Sequence, residues 1–181
     1  MADFAGEASL KDWYRIVYEG YEWPAFEHQF YYGHATFDDG GTIMSAELLL
    51  RLYLENYDPV YKNALDKSIR FVLESQYPIG GWPQRWPLRY DHPEKDGSAD
   101  YSSFITINDG VLTNNIEFLI KCYQTLGDQR VIEPITRAMT CVMVLQGGNP
   151  QAGWGLQHSL DLDLSPAHAR PFEPRGYASQ G

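Results

Sequence analysis

Two short acidic turns carry the side chains best suited to chemistry. They are Asp38-Asp39-Gly40 and Asn108-Asp109-Gly110. An aspartate placed ahead of a helix usually caps its N-terminus, but a cap uses one side chain. Two adjacent carboxylates repel each other unless a cation or an arginine holds them. The pair Asp38 and Asp39 therefore suggests a function beyond capping.

Two glycine-rich loops hold aromatic and amide side chains of the kind that bind saccharides. They read QYPIGGWPQRWPLRY from Gln76 and QGGNPQAGWGLQHSL from Gln146. Aromatic rings stack on the C–H surface of a sugar, while amides and guanidinium groups bind its hydroxyls and carboxylates. The alternative is that Trp82 and Trp154, which occupy comparable places in the two loops, fill the end of a helical barrel.

The C-terminal segment LSPAHARPFEPRGY adds Arg170 and Arg175 without any helical periodicity. A surface loop would explain it, yet arginine is well suited to bind a planar carboxylate. Just before it, the alternation in SLDLDLS indicates either a short edge strand or, less simply, a metal site formed by Asp161 and Asp163.

The charge balance limits the partners of the protein. Fourteen Lys and Arg against 24 Asp and Glu give a net charge of -10, which opposes binding to nucleic acid or to anionic lipid. We found no apolar run long enough to span a membrane and no signal-peptide pattern at the N-terminus. An acidic substrate would need local arginines or a metal ion between itself and the protein.

Cys122 and Cys141 are expected to be buried free thiols.

An internal repeat of about seventy residues organises the chain. The segment from Phe37 to Gln76 aligns without a gap on the segment from Ile107 to Gln146, and the Gly-Trp pairs that follow align after a shift of two residues. In each copy, apolar residues recur every three or four positions in two stretches, which predicts two helices. Asp58, followed by Pro59, and Asp128 are expected to cap the second helix of their copies. The expected helices of the second copy run from Val111 to Gly127 and from Asp128 to Gln146, with Pro134 delaying the start of the latter to near Glu133.

Repeated antiparallel helical hairpins predict an all-α fold, either an (α/α) toroid or an incomplete (α/α) barrel, in a single domain spanning residues 1–181. A complete small helical domain is the alternative. An antiparallel hairpin returns the chain to its starting end, so the acidic turns and the aromatic loops should meet at one rim. That rim would collect Asp38, Asp39, Trp82, Gln84, Arg85, Trp86, Asn108, Asp109, Trp154, Gln157 and His158.

Four stretches in order resemble the family 10 polysaccharide lyases, the pectic acid (pectate) lyases. They are ATFDDGGT at 35–42, ESQYPIGGWPQRWPL at 74–88, FITINDGVLTNNIEFL at 104–119 and GWGLQHSLDLDLSPAHARPFEP at 153–174. The resemblance covers most of the chain from about Trp23 onward. It implies an (α/α) toroid that cleaves polygalacturonate by β-elimination with Ca²⁺. Because members of this family continue well beyond residue 181, it also implies a truncated chain.

The resemblance also implies roles for individual residues. Asp38 and Asp109 would hold Ca²⁺, and Arg170 would be the base that removes the C5 proton. Three departures from the family pattern are Gly110 in place of a second acidic residue, His168 in place of a lysine, and Pro171 after the arginine. The expected substrate-binding residues are Asp39, Trp82, Gln84, Arg85, Asn108, Gln157 and His158.

Polygalacturonate is the expected partner, with no nucleic acid, no membrane and a monomeric state. A secreted or periplasmic location follows by analogy with the family. Two alternative functions stay open from the sequence: an (α/α) glycoside hydrolase using two carboxylates without a cation, and an inactive fragment that binds pectate. A helical cyclase fits less well, because the sequence lacks the acidic cluster expected of one.

Overall fold

Four α-helices dominate the part of the chain that the computed structural model describes, which is residues 35–88, 101–148, 152–160, 163–167 and 177–178. They are α1 at Gly41–Asn56, α2 at Pro59–Glu74, α3 at Val111–Leu126 and α4 at Ile132–Leu145. No helix within these ranges is long and apolar enough to cross a membrane. The described residues belong to one compact unit, assigned to residues 35–181.

Each helix pair is joined by a short turn in which an aspartate begins the second element. Asp58 Oδ1 accepts a hydrogen bond from the Val60 amide at 2.8 Å, and Pro59 takes the first helical position. Before it, Tyr57 follows the last residue of α1 and takes the left-handed conformation, at φ 53°. In the second pair Gly127 takes that conformation at φ 66°, and Asp128 accepts from the Arg130 amide at 3.0 Å. Both predicted capping aspartates are confirmed.

The second pair differs from the first where a proline was expected to disturb it. Asp128 caps a short 3₁₀ helix at Gln129–Val131, and α4 then begins at Ile132. Pro134 thus falls in the first turn of α4, where its missing N–H leaves no helical hydrogen bond unmade. The predicted delay to near Glu133 is confirmed to within one residue.

Most apolar faces of the helices meet in one main core, and Cys141 and Leu145 of α4 join Ile105 in a second, smaller cluster. Helix α1 packs against both α2 and α3, and α3 packs against α4. The core contains fully buried side chains from all four helices and from the loops between them, among them Phe37, Leu65, Ile69, Val72, Trp82, Phe118 and Leu119. Cys122 and Cys141 are buried free thiols, as expected from their apolar surroundings.

Polar contacts also connect the two hairpins. Lys121 Nζ lies 2.5 Å from Glu47 Oε1, which joins α3 to α1. Gln76 Nε2 donates to the Pro134 carbonyl at 2.9 Å, and Gln76 Oε1 accepts from Arg137 at 2.7 Å. These contacts fix the loop after α2 against α4.

The structure contains short strands that the predicted all-α architecture did not include. Three antiparallel pairs of two residues each join the loops: β1 at Ala35–Thr36 with β2 at Arg85–Trp86, β3 at Ile105–Thr106 with β5 at Gln157–His158, and β4 at Trp154–Gly155 with β6 at Tyr177–Ala178. In register, Thr36 faces Arg85 and Thr106 faces Gln157. The first two pairs hold each glycine-rich loop beside the acidic turn of its own hairpin.

Candidate functional site

The two acidic turns have the same backbone conformation. Asp39 and Asp109 lie in the left-handed region, at φ 52° and 55°. Gly40 and Gly110 follow, both at φ 70° and ψ 7°, and each glycine is the N-cap of a helix. Aspartate and glycine tolerate positive φ better than most residues, which explains why these types occur at these positions. The shared geometry presents both acidic turns at the N-termini of α1 and α3.

Three carboxylates converge where these turns meet. One oxygen from each of Asp38, Asp39 and Asp109 lies within 4.8 Å of the corresponding oxygens of the others. Asp38 is half-buried, whereas Asp39 and Asp109 are exposed. Burial, followed by the negative charges of Asp109 and Asp39, raises the pKa of the Asp38 carboxyl above its usual value. We call these three residues the acidic cluster.

The chemistry of the acidic cluster fits a hard divalent cation. Ca²⁺ takes oxygen ligands, and carboxylates and amide carbonyls are its usual protein donors. Asn108 adds a further oxygen beside the cluster: its Nδ2 donates to Asp109 Oδ2, while its buried Oδ1 has no hydrogen-bond partner within the described residues. A ligand or cation that reached Asn108 would satisfy that oxygen.

Gln84 lies against the acidic cluster from the first loop. Its Nε2 donates to Asp38 Oδ2 at 2.9 Å, and its side chain is buried. The next residue, Arg85, is half-buried on β2, opposite Thr36. The antiparallel β1–β2 pair therefore sets the position of Gln84 next to the first acidic turn.

The two tryptophans of the Gly-Trp pairs serve as packing residues. Trp82 is fully buried, and its Nε1 donates to the Val72 carbonyl at 2.8 Å. Trp154 is half-buried, and its Nε1 donates to the Val142 carbonyl at 2.8 Å. Since the Trp82 ring is enclosed by the core, it offers no open face on which a sugar could stack.

The other expected saccharide contacts, Gln157 and His158, are buried on β5. The His158 Nε2 accepts from the Gly155 amide at 3.2 Å, and Nδ1 is 2.8 Å from the Leu164 carbonyl. These two contacts assign the proton to Nδ1. Burial lowers the pKa of His158, and the backbone contact with Leu164 partly opposes that effect. The Gln157 Oε1 is buried and unpartnered among the described residues.

Sequence reasoning missed two asparagines at the start of α3. Asn114 lies beside both glycine caps: a Cβ built on Gly110 would come within 2.5 Å of its Nδ2, and one on Gly40 within 3.5 Å. Asn115 is fully buried, with neither side-chain polar atom partnered in the described structure. The signal was the Asn-Asn pair within a helix that is otherwise apolar on its buried face.

Arg170 lies outside the described residues, as do His168, Arg175 and Asp161. The structure therefore describes the acidic cluster and its supporting loops, and the predicted base stays a prediction. Asp163 lies in a turn and its Oδ1 accepts from the Ser165 amide at 3.2 Å.

A sequence model of the family described as pectic acid lyase matches residues 13–181. The chain belongs to the pectic acid lyase family. The match includes both acidic turns and both glycine-rich loops, so the arrangement described above is that of a pectic acid lyase family member. No curated protein sequence matches the chain.

Two solved structures are similar to this pectic acid lyase family chain. One is a family 10 polysaccharide lyase from Cellvibrio cellulosa, at 26% sequence identity and a TM-score of 0.61. The other is a mutant family 10 polysaccharide lyase from Cellvibrio cellulosa in complex with trigalaturonic acid, at 25% identity and a TM-score of 0.61. Each alignment covers 80% of this chain and 46% of the other. The chain thus spans less than half the length of these structures.

Proposed function

We propose that the chain provides part of the active site of a pectate lyase, which cleaves α-1,4-polygalacturonate by β-elimination and releases 4,5-unsaturated oligogalacturonides. The observation that carries the proposal is the convergence of three carboxylates from two separate turns. Family membership and the relative in complex with trigalaturonic acid support the same substrate class.

Asp38 and Asp109 are the proposed Ca²⁺ ligands, with Asp39 at the exposed edge of the acidic cluster. Bound Ca²⁺ would attract the uronate carboxylate and stabilise the negative charge that develops on it as the α-proton leaves. The chain itself carries a net charge of -10 and would otherwise repel an anionic substrate. The cluster therefore needs a cation for the proposed substrate to approach.

Arg170 is the proposed base, by its match to the family pattern. The C5 hydrogen of a galacturonate is α to the carboxylate, so its removal as a proton places negative charge on the carboxylate oxygens. Bound Ca²⁺ would stabilise that charge. A guanidinium group ordinarily stays protonated, with a pKa above about 12. Removal of the proton by Arg170 therefore requires the unprotonated fraction, and turnover should increase toward alkaline pH.

The residues expected to bind substrate differ in how far their side chains are exposed to solvent. Asp39 is exposed and Arg85 is half-buried. We propose that these two contact the saccharide directly. The other expected residues are buried, and we propose that they support the site without contacting the saccharide. They are Trp82, Gln84, Asn108, Gln157 and His158.

The geometry of the acidic cluster argues against a glycoside hydrolase. Such enzymes separate their two carboxyl groups by about 5 Å or more, so that the sugar or a water fits between them. Here an oxygen of Asp38 lies within 4.8 Å of an oxygen of Asp109. The two groups are thus closer together than that separation.

The larger architecture and location belong to the same proposal. We propose that the two hairpins form a section of an (α/α) toroid, and that the protein acts outside the cytoplasm, where polygalacturonate is found. Both rest on the family and on the similar solved structures.

The proposed reaction is tested by incubating the 181-residue chain with polygalacturonate and Ca²⁺ and following ultraviolet absorbance from the C4–C5 double bond. We expect absorbance to grow, to stop when a chelator is added, and to resume when Ca²⁺ is restored. New reducing ends without that absorbance would indicate hydrolysis and contradict the proposal. Calorimetric binding of oligogalacturonate without turnover would identify a binding fragment instead.

A further inference from the structure

Gln84 makes two separate contacts with the first acidic turn. Its backbone carbonyl accepts from the Phe37 amide at 2.9 Å, and its side-chain Nε2 donates to Asp38 Oδ2 at 2.9 Å. The side chain is only 5% exposed. A glutamine buried to this extent is held in one orientation, so the carboxyl group that it contacts is also restrained.

The second acidic turn repeats the backbone contact with a different residue. There the Ile107 amide donates to the Leu156 carbonyl at 2.8 Å. Leu156 thus fills the place of Gln84, and the turn still has the same conformation, with Gly110 matching Gly40. The turn therefore forms without a side-chain amide, and the amide of Gln84 is not required by the fold.

The residue that contacts each turn matches the charge of the first residue of that turn. Gln84 contacts the turn that begins with the acid Asp38, whereas Leu156 contacts the turn that begins with the neutral Asn108. A lysine or arginine at position 84 would neutralise the carboxylate and compete with a bound cation. A glutamine donates a hydrogen bond but adds no charge, so the full negative charge of the acidic cluster stays available.

We propose that Gln84 is a positioning residue for the cation, acting through Asp38 and not by contact with the saccharide. This inference rests on the proposed function, because it requires that the acidic cluster bind a cation. Groups that hold a metal-binding carboxylate typically change metal affinity by about 10- to 100-fold when removed. The amide of Gln84 has this relation to Asp38.

The test measures cation binding without reference to catalysis. Binding of Tb³⁺ is followed by its luminescence, and Ca²⁺ is then added to displace the bound Tb³⁺. Both titrations are done on the full 181-residue chain and on Gln84→Leu, which copies Leu156. We expect about tenfold weaker binding of both ions, with the thermal midpoint of the metal-free protein within a few degrees of wild type. Gln84→Met, which keeps the length of the side chain without the donor, should give the same loss.

Gln76 supplies a matched control, because its amide is also committed to hydrogen bonds, but away from the acidic cluster. It bonds to the Pro134 carbonyl and to Arg137. Gln76→Leu should lower the thermal midpoint and leave the affinity for Tb³⁺ unchanged. A purely structural role for Gln84 would give this same result in the Gln84 variants.

The outcomes separate this inference from the proposed function. Wild-type affinity in both Gln84→Leu and Gln84→Met overturns the role of Gln84 and leaves the cation site intact. Failure of the wild-type chain to bind Tb³⁺ that Ca²⁺ displaces overturns both.

Discussion

The carboxyl groups of Asp38 and Asp109 lie side by side, although the two residues belong to different helical hairpins. Each follows a short strand paired with the glycine-rich loop of its own hairpin, and each precedes a helix of the same length. The packing of α1 against α3 then brings the two helix N-termini together. The proposed site for one cation therefore depends on the packing of the two hairpins.

Replacing the proposed base should separate catalysis from binding. Arg170→Ala should reduce turnover of polygalacturonate to background and change oligogalacturonate affinity little, because the arginine acts on the C5 proton. In the wild-type chain, turnover should rise with pH through the alkaline range. Steady-state assays over pH, together with calorimetry, measure both quantities.

Arg70→Ala is the control for this prediction, since Arg70 is exposed on α2. It should keep wild-type turnover. Activity retained in Arg170→Ala would require a different base.

Loss of the Trp82 ring should destabilise the fold. Trp82→Ala removes a fully buried side chain and its hydrogen bond to Val72, which should cost about 3–5 kcal/mol of unfolding free energy. Trp82→Phe should cost less, since it keeps most of the packing. Denaturant unfolding measures both, with Met143→Ala, 67% exposed, expected within about 0.5 kcal/mol of wild type.

A stable Trp82→Ala variant with weakened saccharide binding would instead place this ring in the binding site.

Protonation of His158 should destabilise the protein in mild acid. Because burial lowers its pKa in the folded state, the unfolded chain binds the proton more readily below its ordinary value of 6.5. Stability contributed by neutral His158 should thus fall as the pH decreases below 6.5, by at most about 1.4 kcal/mol per pH unit. Denaturant unfolding at several pH values measures this slope.

His158→Gln tests the assignment, because a glutamine can still accept from Gly155 and donate to Leu164 without titrating. The variant should have a shallower pH dependence than wild type between pH 6.5 and 5. Identical slopes would show that other groups cause the loss.

Much of the helical structure could be predicted because it depends on local signals. Apolar spacing identified the helices, and Asp58 followed by Pro59 marked the start of one of them. The antiparallel hairpin also predicted that the acidic turns would meet at one end. The helices and their caps are set within a few neighbouring residues, and the position of each acidic turn at the end of its hairpin is set within that hairpin.

Other features depended on contacts between segments distant in sequence. The two-residue strands have no periodicity of their own and form only because the loops pair with segments beside the acidic turns. The sequence assigned Asp39 to the substrate, while the structure adds it to the acidic cluster. The contact of Gln84 with Asp38 likewise depends on β1 pairing with β2, which no local pattern predicts.

The most direct test of the account is a double-mutant cycle on Ca²⁺ affinity, measured by calorimetry for wild type, Asp38→Asn, Asp109→Asn and the double variant. We predict that each single change weakens binding by about tenfold or more, and that the double variant loses less than the sum, with a coupling above about 0.5 kcal/mol. This result is expected if both carboxylates hold one ion. Losses that add to within about 0.3 kcal/mol, or single variants that bind Ca²⁺ as tightly as wild type, would contradict a shared cation site.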